Sequence, residues 1–273
     1  MVLKTHRWGS ERSDAVICVH GLTQDGLIFA ELGRRLAELG HYVVAVDLRG
    51  HGDSRREPPW DIETHLEDLI VTLQELGVER QTWLGHSFGG RVAATAAFRT
   101  QGTTDRLVLL DPGLHVPPGQ ALKGSEIDRL DWSFASPEGA ANALLTGPSI
   151  VATPRQVVEA YVRRDVKRGP DGRFRFRFCP SAAVVAWSEM SKPPPAIARL
   201  PTLVVKAAVP LVYSEAHEVN YRSQLGELLE VVTVPNGHNL LWESPRETLA
   251  AIEAFLERDL SNDGTSTHKA VSR

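Results

Sequence analysis

The stretch WLGHSFGGRVAATAA sets Ser87 in Gly85-x-Ser87-x-Gly89, directly after the apolar run TWLG and directly before an alanine-rich segment of helical character. Strand, sharp turn and helix in that order is the setting in which a serine becomes a nucleophile. The turn lifts Oγ clear of the sheet, and the flanking glycines remove Cβ atoms that would obstruct close backbone approaches. The helix N-terminus behind the turn favours the negative charge that develops during acyl transfer. A serine hydroxyl still needs a base to take its proton and donors to receive an oxyanion. The sequence PNGH ends at His238, after the apolar run LLEVVTV and before a segment of helical period. Of the ten histidines, this one is expected on a loop at the carboxyl edge of a sheet, where ligands gather in open α/β folds. The segment VHGLTQDG offers the backbone N–H of Leu22 as an oxyanion donor beside that of Phe88. His20, His51 and His86 are expected to support loops rather than to act.

The elements that must position these residues alternate along the chain. AVICVH, YVVAVD, TWLGHS and RLVLLD read as strands, and FAELGRRLAEL, IETHLEDLIVTLQEL and RVAATAAF as helices. Such alternation specifies an α/β fold, with a mostly parallel central sheet and helices on both faces. After Asp111 the rhythm stops, and it returns only at PTLVVKA, LLEVVTV and SPRETLAAIEAFLERDL. The expected organisation is a core of residues 1–112 and 200–260, with a mainly helical cap of residues 113–199 inserted between two strands. The polar tail, 261–273, is expected to be disordered. Within the cap, Trp132, Phe134, Leu144, Leu145, Tyr161, Trp187 and Met190 are candidates for an apolar substrate pocket, although residues of this kind also build cap cores. RFRFRF alternates at period two, which sets Arg173, Arg175 and Arg177 on one face and three phenylalanines on the other. An amphipathic strand packed on the cap's own core is the favoured reading there, ahead of anion recognition by the arginines.

VHGLTQDG, VDLRGHGDS (Val46 to Ser54), LGHSFGG and PNGH, in this order and spacing, resemble the α/β-hydrolase superfamily over about Ala15 to Asp111 and Pro201 to Leu260. The resemblance implies the fold, but esterases, lipases, C–C hydrolases, lactonases, cofactor-free oxygenases and hormone receptors share it. Haloalkane dehalogenases carry an aspartate where this chain has Ser87. The resemblance also requires a carboxylate beside His238, to fix its tautomer and stabilise the imidazolium. In the majority pattern that acid follows the strand resembling TLVVKA, yet here the chain reads Lys206-Ala207-Ala208-Val209-Pro210-Leu211. A minority of the superfamily places it after the preceding strand, where LVLLDPG offers Asp111. An aspartate before proline is also a common turn starter. Glu215 and Glu218 are the next candidates, in a helix start where acidic residues suit the dipole. The expected triad is Ser87, Asp111 and His238, which keeps the serine, acid, histidine order of the fold.

The chain as a whole restricts the partner. With 273 residues, 42% hydrophobic, and a formal net charge of -4, it can bury a sizeable core and has no general attraction for nucleic acid or an anionic membrane. MVLKTHRWGS contains no apolar stretch of signal-peptide length, so a cytoplasmic protein is expected. Cys18 and Cys179 have neither metal-ligand nor redox spacing. The expectation is a serine hydrolase acting on a small carboxylic ester, lactone or related acyl compound, with no metal and no organic cofactor. A lyase or C–C bond hydrolase using the same triad is the first alternative. The second is a ligand-binding protein that has lost turnover.

Overall fold

The computed structural model describes residues 1–147, 151–209 and 211–258. Seven strands form its main sheet: β1 (Lys4–Trp8), β2 (Asp14–Val19), β3 (Val43–Asp47), β4 (Arg80–His86), β5 (Thr104–Leu110), β9 (Thr202–Ala207) and β10 (Leu229–Val234). Three short strands that fall between β5 and β9 in the chain, β6 (Ser133–Phe134), β7 (Val166–Arg168) and β8 (Phe174–Phe176), form a separate sheet. The main order is β1-β3-β2-β4-β5-β9-β10, and every pairing is parallel except that of β1 with β3. β1 is an addition to the sequence reading, because KTHRW carries no apolar run. As a half-exposed edge strand it needs none.

Both faces of the sheet are covered, which is why its strands are β-branched runs with few polar residues. Successive side chains of β2 go to opposite sides. Ile17 and Val19 join one cluster, with Leu66 and Leu69 of α2 (Ile62–Glu75) and Val92 of α3 (Phe88–Arg99). Val16 and Cys18 join the other, with Leu32 and Leu36 of α1 (Ala30–Glu38) and Ile252 and Phe255 of α10 (Pro245–Leu256). Asp61 caps α2 by accepting from Thr64 N at 2.9 Å, and Leu66, Leu69 and Leu73 then share its buried face. Strand order reverses between β2 and β4. The loops leaving the carboxyl ends of these two strands therefore part to opposite sides and open a crevice.

Between β5 and β9 the chain forms α4 (Pro118–Asp128), β6 (Ser133–Phe134), α5 (Pro137–Leu145), α6 (Arg155–Asp165), β7 (Val166–Arg168), β8 (Phe174–Phe176) and α7 (Pro180–Ser191). Helices dominate the insertion, and its strands pair antiparallel in the order β6-β8-β7. RFRFRF contributes only its centre to β8. Phe176 and Phe178 are buried with Val158, Tyr161 and Val162 of α6. The arginines bond to groups of the protein itself: Arg173 to Ser133, Arg175 to Asp171, and Arg177 to Asp25, Asp53 and Asp165. Arg177 thus ties the insertion to the loop after β2. After β9 come α8 (Glu215–Leu225), which joins the α2 and α3 side of the sheet, and α9 (Leu240–Glu243), which follows β10. Cys18 is buried and Cys179 partly so. Among the described residues no helix is long and apolar enough to cross a membrane. The tail at 261–273 lies outside the described residues.

Candidate active site

Ser87 lies between β4 and α3 with φ 55° and ψ −122°, in a region that L-residues avoid. The surroundings hold it there. Its N–H donates to Leu110 O at 3.1 Å, and its carbonyl accepts from Gly90 N at 2.9 Å and Gly113 N at 2.8 Å. The glycines explain themselves by what a side chain would strike. A Cβ at Gly85 would fall 2.2 Å from Gly89 O, and one at Gly89 would fall 2.1 Å from Val19 O. The elbow and the loop after β2 also run close together, since a Cβ on Gly21 would lie 3.0 Å from Ser87 Cβ. That loop carries Leu22 past the serine. His20 braces it, accepting from Leu48 N at Nε2 (3.0 Å) and donating from Nδ1 to Gly21 O (2.7 Å), and Tyr161 Oη donates to Thr23 O at 3.0 Å.

The Asp111 carboxylate faces His238, with Oδ2 2.5 Å from Nδ1. Asp111 is wholly buried, has a positive φ of 36°, and is not turned into the Pro112 turn. Its N–H donates to Val205 O (2.8 Å) and its Oδ1 accepts from Ala207 N (3.4 Å). The end of β9, which lacks an acid of its own, supplies two backbone groups that hold the acid of β5. Glu215 and Glu218 stand on α8, away from His238. Glu218 bonds to Lys206 and Arg222, and Glu215 is exposed.

His238 is held from several sides. Asn236 takes φ 68°, its side chain donating to Glu243 O (2.8 Å), and Gly237 N donates to Glu243 Oε2 (2.8 Å). The His238 carbonyl accepts from Leu240 N (3.0 Å) and from His86 Nε2 (2.9 Å). His86 lies in the elbow itself, with Nδ1 3.1 Å from the Gln24 side-chain amide, so it joins three loops. Burial, with the nearby His238 acting in the same direction, lowers its imidazole to about 3. It therefore stays neutral, with Nε2 toward the His238 carbonyl and Nδ1 toward Gln24 Oε1. Burial likewise lowers His20, His51 and His65.

Ser87 and His238, each about nine-tenths buried, open onto one cavity of about 320 Å³. Leu22 lines it, as do four of the expected pocket residues, Trp132, Leu144, Tyr161 and Trp187. Phe134 does not. Its ring packs edge-on against Trp132 and Phe176, within the insertion's own aromatic cluster. Leu145 joins the same cluster, and Met190 is buried against the core beneath the insertion. Phe88 is also fully buried and is not among the residues that line the cavity. The sequence reading missed Phe176 and Phe178, which it assigned to the cap's interior, and Trp242, whose ring lies tilted against that of Tyr161 with 5.0 Å between centroids. Trp242 had a signal in its closeness to His238 in the chain, four residues on and within the short helix that follows the loop. The phenylalanines had none, since the same rings serve both core and cavity.

Comparison with known proteins agrees with this architecture. The profile of the Alpha/beta hydrolase family matches residues 16–252. Lipase LipV of Mycobacterium tuberculosis is 30% identical over 268 residues, covering 94% of this chain and 99% of the lipase. Esterase YbfF of Escherichia coli is 25% identical, covering 88% of this chain and 92% of the esterase. Among solved structures, E-2-(acetamidomethylene)succinate hydrolase superposes with a TM-score of 0.79 at 22% identity, over 94% of this chain and 95% of that one. A strained serine between strand and helix, a buried carboxylate against a loop histidine, and a family match spanning all three lead to one conclusion: this chain belongs to the alpha/beta hydrolase family.

Proposed function

We propose that the protein is a serine hydrolase of apolar carboxylic esters, with Ser87, His238 and Asp111 as its triad and residues 113–199 as its cap. The observation that carries this reading is the 2.5 Å contact of the fully buried Asp111 carboxylate with His238 Nδ1, in a cavity that Ser87 also lines. With a proton held on Nδ1, the Nε2 lone pair is free to take the proton of Ser87 Oγ as that oxygen attacks the ester carbonyl. The N–H groups of Leu22 and Phe88 receive the oxyanion. The imidazolium then returns its proton to the leaving alcohol, and water, activated in the same way, releases the acid from the acyl-serine. The aromatic lining favours an apolar acyl or alcohol group. The relatives named lipase and esterase, matched over nearly their whole length, support the ester class.

A binding protein without turnover would have no use for the backbone strain at Ser87, which costs on the order of 1–3 kcal/mol. The test is turnover of a panel of nitrophenyl esters and lactones, with fluorophosphonate labelling, by wild type and Ser87→Ala. Turnover should fall by about 10³-fold or more, and the label should be lost. Retention of more than about a tenth of wild-type turnover by Ser87→Ala would sink the reading.

A further inference from the structure

One carboxylate lining the cavity has no ion-pair partner among the described residues. Asp128, the last residue of α4, lines the cavity and accepts from Trp187 Nε1 at 2.6 Å. No ion pair reaches it among the described residues, and Lys123, which also lines the cavity, is exposed and unpaired with it. The position is unfavourable for an acid on two grounds. The C-terminal end of a helix repels negative charge, and the surroundings are apolar: Ile127, Trp132 and Trp187 line the same space. Burial raises the Asp128 carboxyl above the usual carboxylate range. An asparagine could accept from Trp187 equally well, so holding that ring does not require an acid. Trp187, bonded to Asp128, and Trp132, bonded to Ile127 O, also line this space, and aromatic rings add a second attraction of the same sign for a cation.

We propose that this end of the cavity binds an alkylammonium group carried by the substrate, between Asp128 and the aromatic faces, while the substrate's ester carbonyl reaches Ser87. The proposal rests on the ester-hydrolase reading of Ser87 and names its substrate class. A bound cation would supply the charge partner that the fold withholds from Asp128. The exposed Lys123 ammonium is screened by solvent and opposes this only weakly.

Two esters of equal shape decide it: the butyrate of choline and the butyrate of 3,3-dimethylbutanol, in which carbon replaces the quaternary nitrogen. Wild type should favour the choline ester in kcat/KM by about tenfold or more, and Asp128→Asn should reduce the preference to about twofold or less. Quenching of tryptophan fluorescence by tetramethylammonium, in Ser87→Ala, reports binding without chemistry and should weaken in the Ser87→Ala, Asp128→Asn double variant. Equal or better turnover of the neutral ester by wild type overturns the proposal, and that comparison stands even if Asp128→Asn fails to fold. Persistence of the preference in Asp128→Asn overturns it as well. If nitrophenyl butyrate is hydrolysed and fluorophosphonate labels Ser87 while neither matched ester is turned over, this proposal fails alone. If labelling and nitrophenyl turnover are both absent, the reading of Ser87 fails, and the tetramethylammonium titration of wild type still decides whether the cation binds.

Discussion

Replacing Asp111 by asparagine keeps the size of the side chain and removes its charge, and the surrounding hydrogen bonds dictate how the amide must sit. Ala207 N–H points at Oδ1, 3.4 Å away, and requires an acceptor there. The asparagine oxygen therefore takes the Ala207 side, and its NH₂ faces His238 Nδ1, where Oδ2 now lies at 2.5 Å. An NH₂ donor in that place forces the imidazole proton onto Nε2, the nitrogen that must be free to accept from Ser87. The variant loses both the working tautomer and the counter-charge for the imidazolium. The expected fall in kcat is roughly 10³- to 10⁴-fold, or about 4 to 5.5 kcal/mol. The assay is turnover of a nitrophenyl ester at saturation, beside the rate of fluorophosphonate labelling, with circular dichroism as the check on folding. Glu218→Gln is the control, since its carboxylate is already engaged by Lys206 and Arg222, and it should change kcat by less than about threefold. A folded Asp111→Asn enzyme within about tenfold of wild type would refute the reasoning, as would an equal loss in Glu218→Gln.

The buried Glu243 carboxylate gathers four donors, Val151 N (3.2 Å), Ala152 N (3.2 Å), Thr153 Oγ1 (3.0 Å) and Gly237 N (2.8 Å), and so binds the insertion to the loop of His238. Glu243→Gln turns one acceptor into a donor facing donors, and stability measured by urea unfolding should fall by about 2–3 kcal/mol; an unchanged midpoint would count against the clamp. Acid should act through the buried histidines. His65, lowered by burial to about 4 against an ordinary value of 6.5, contributes no penalty above pH 6.5 and destabilises the fold progressively as pH falls from 6.5 toward 4. Asp165, raised by burial to about 7, works in the opposite sense, so the histidine effect is isolated by comparison with His65→Gln. The stability lost between pH 7 and pH 5 should be smaller in that variant by about 2 kcal/mol, and an identical loss would exclude His65 as a source.

Local sequence determined a great deal in this chain. The β-branched runs had to be buried strands, the glycines around Ser87 announced a turn that tolerates no Cβ, and PNGH had to be a loop after the last strand. These are properties of neighbours in the chain, where sterics and period act directly. The position of the acid was legible only by elimination, since the stretch after β9 contains none before Glu215. That Asp111 turns toward His238 was decided by tertiary structure: β5 and β9 are adjacent, and the N–H of Ala207 meets a carboxylate from the strand beside it. The cavity was the least legible part. Phe134 on β6 and Phe176 on β8 meet edge-on and belong to one aromatic cluster, yet Phe176 reaches the cavity and Phe134 does not. Alternation separates the two faces of a strand, but it cannot say which apolar face meets a core and which meets a void. That distinction depends on how α4, α6, α7 and α9 pack over the crevice, and on long-range bonds such as Arg177 to Asp25 and Glu243 to Ala152, whose partners lie far apart in the chain.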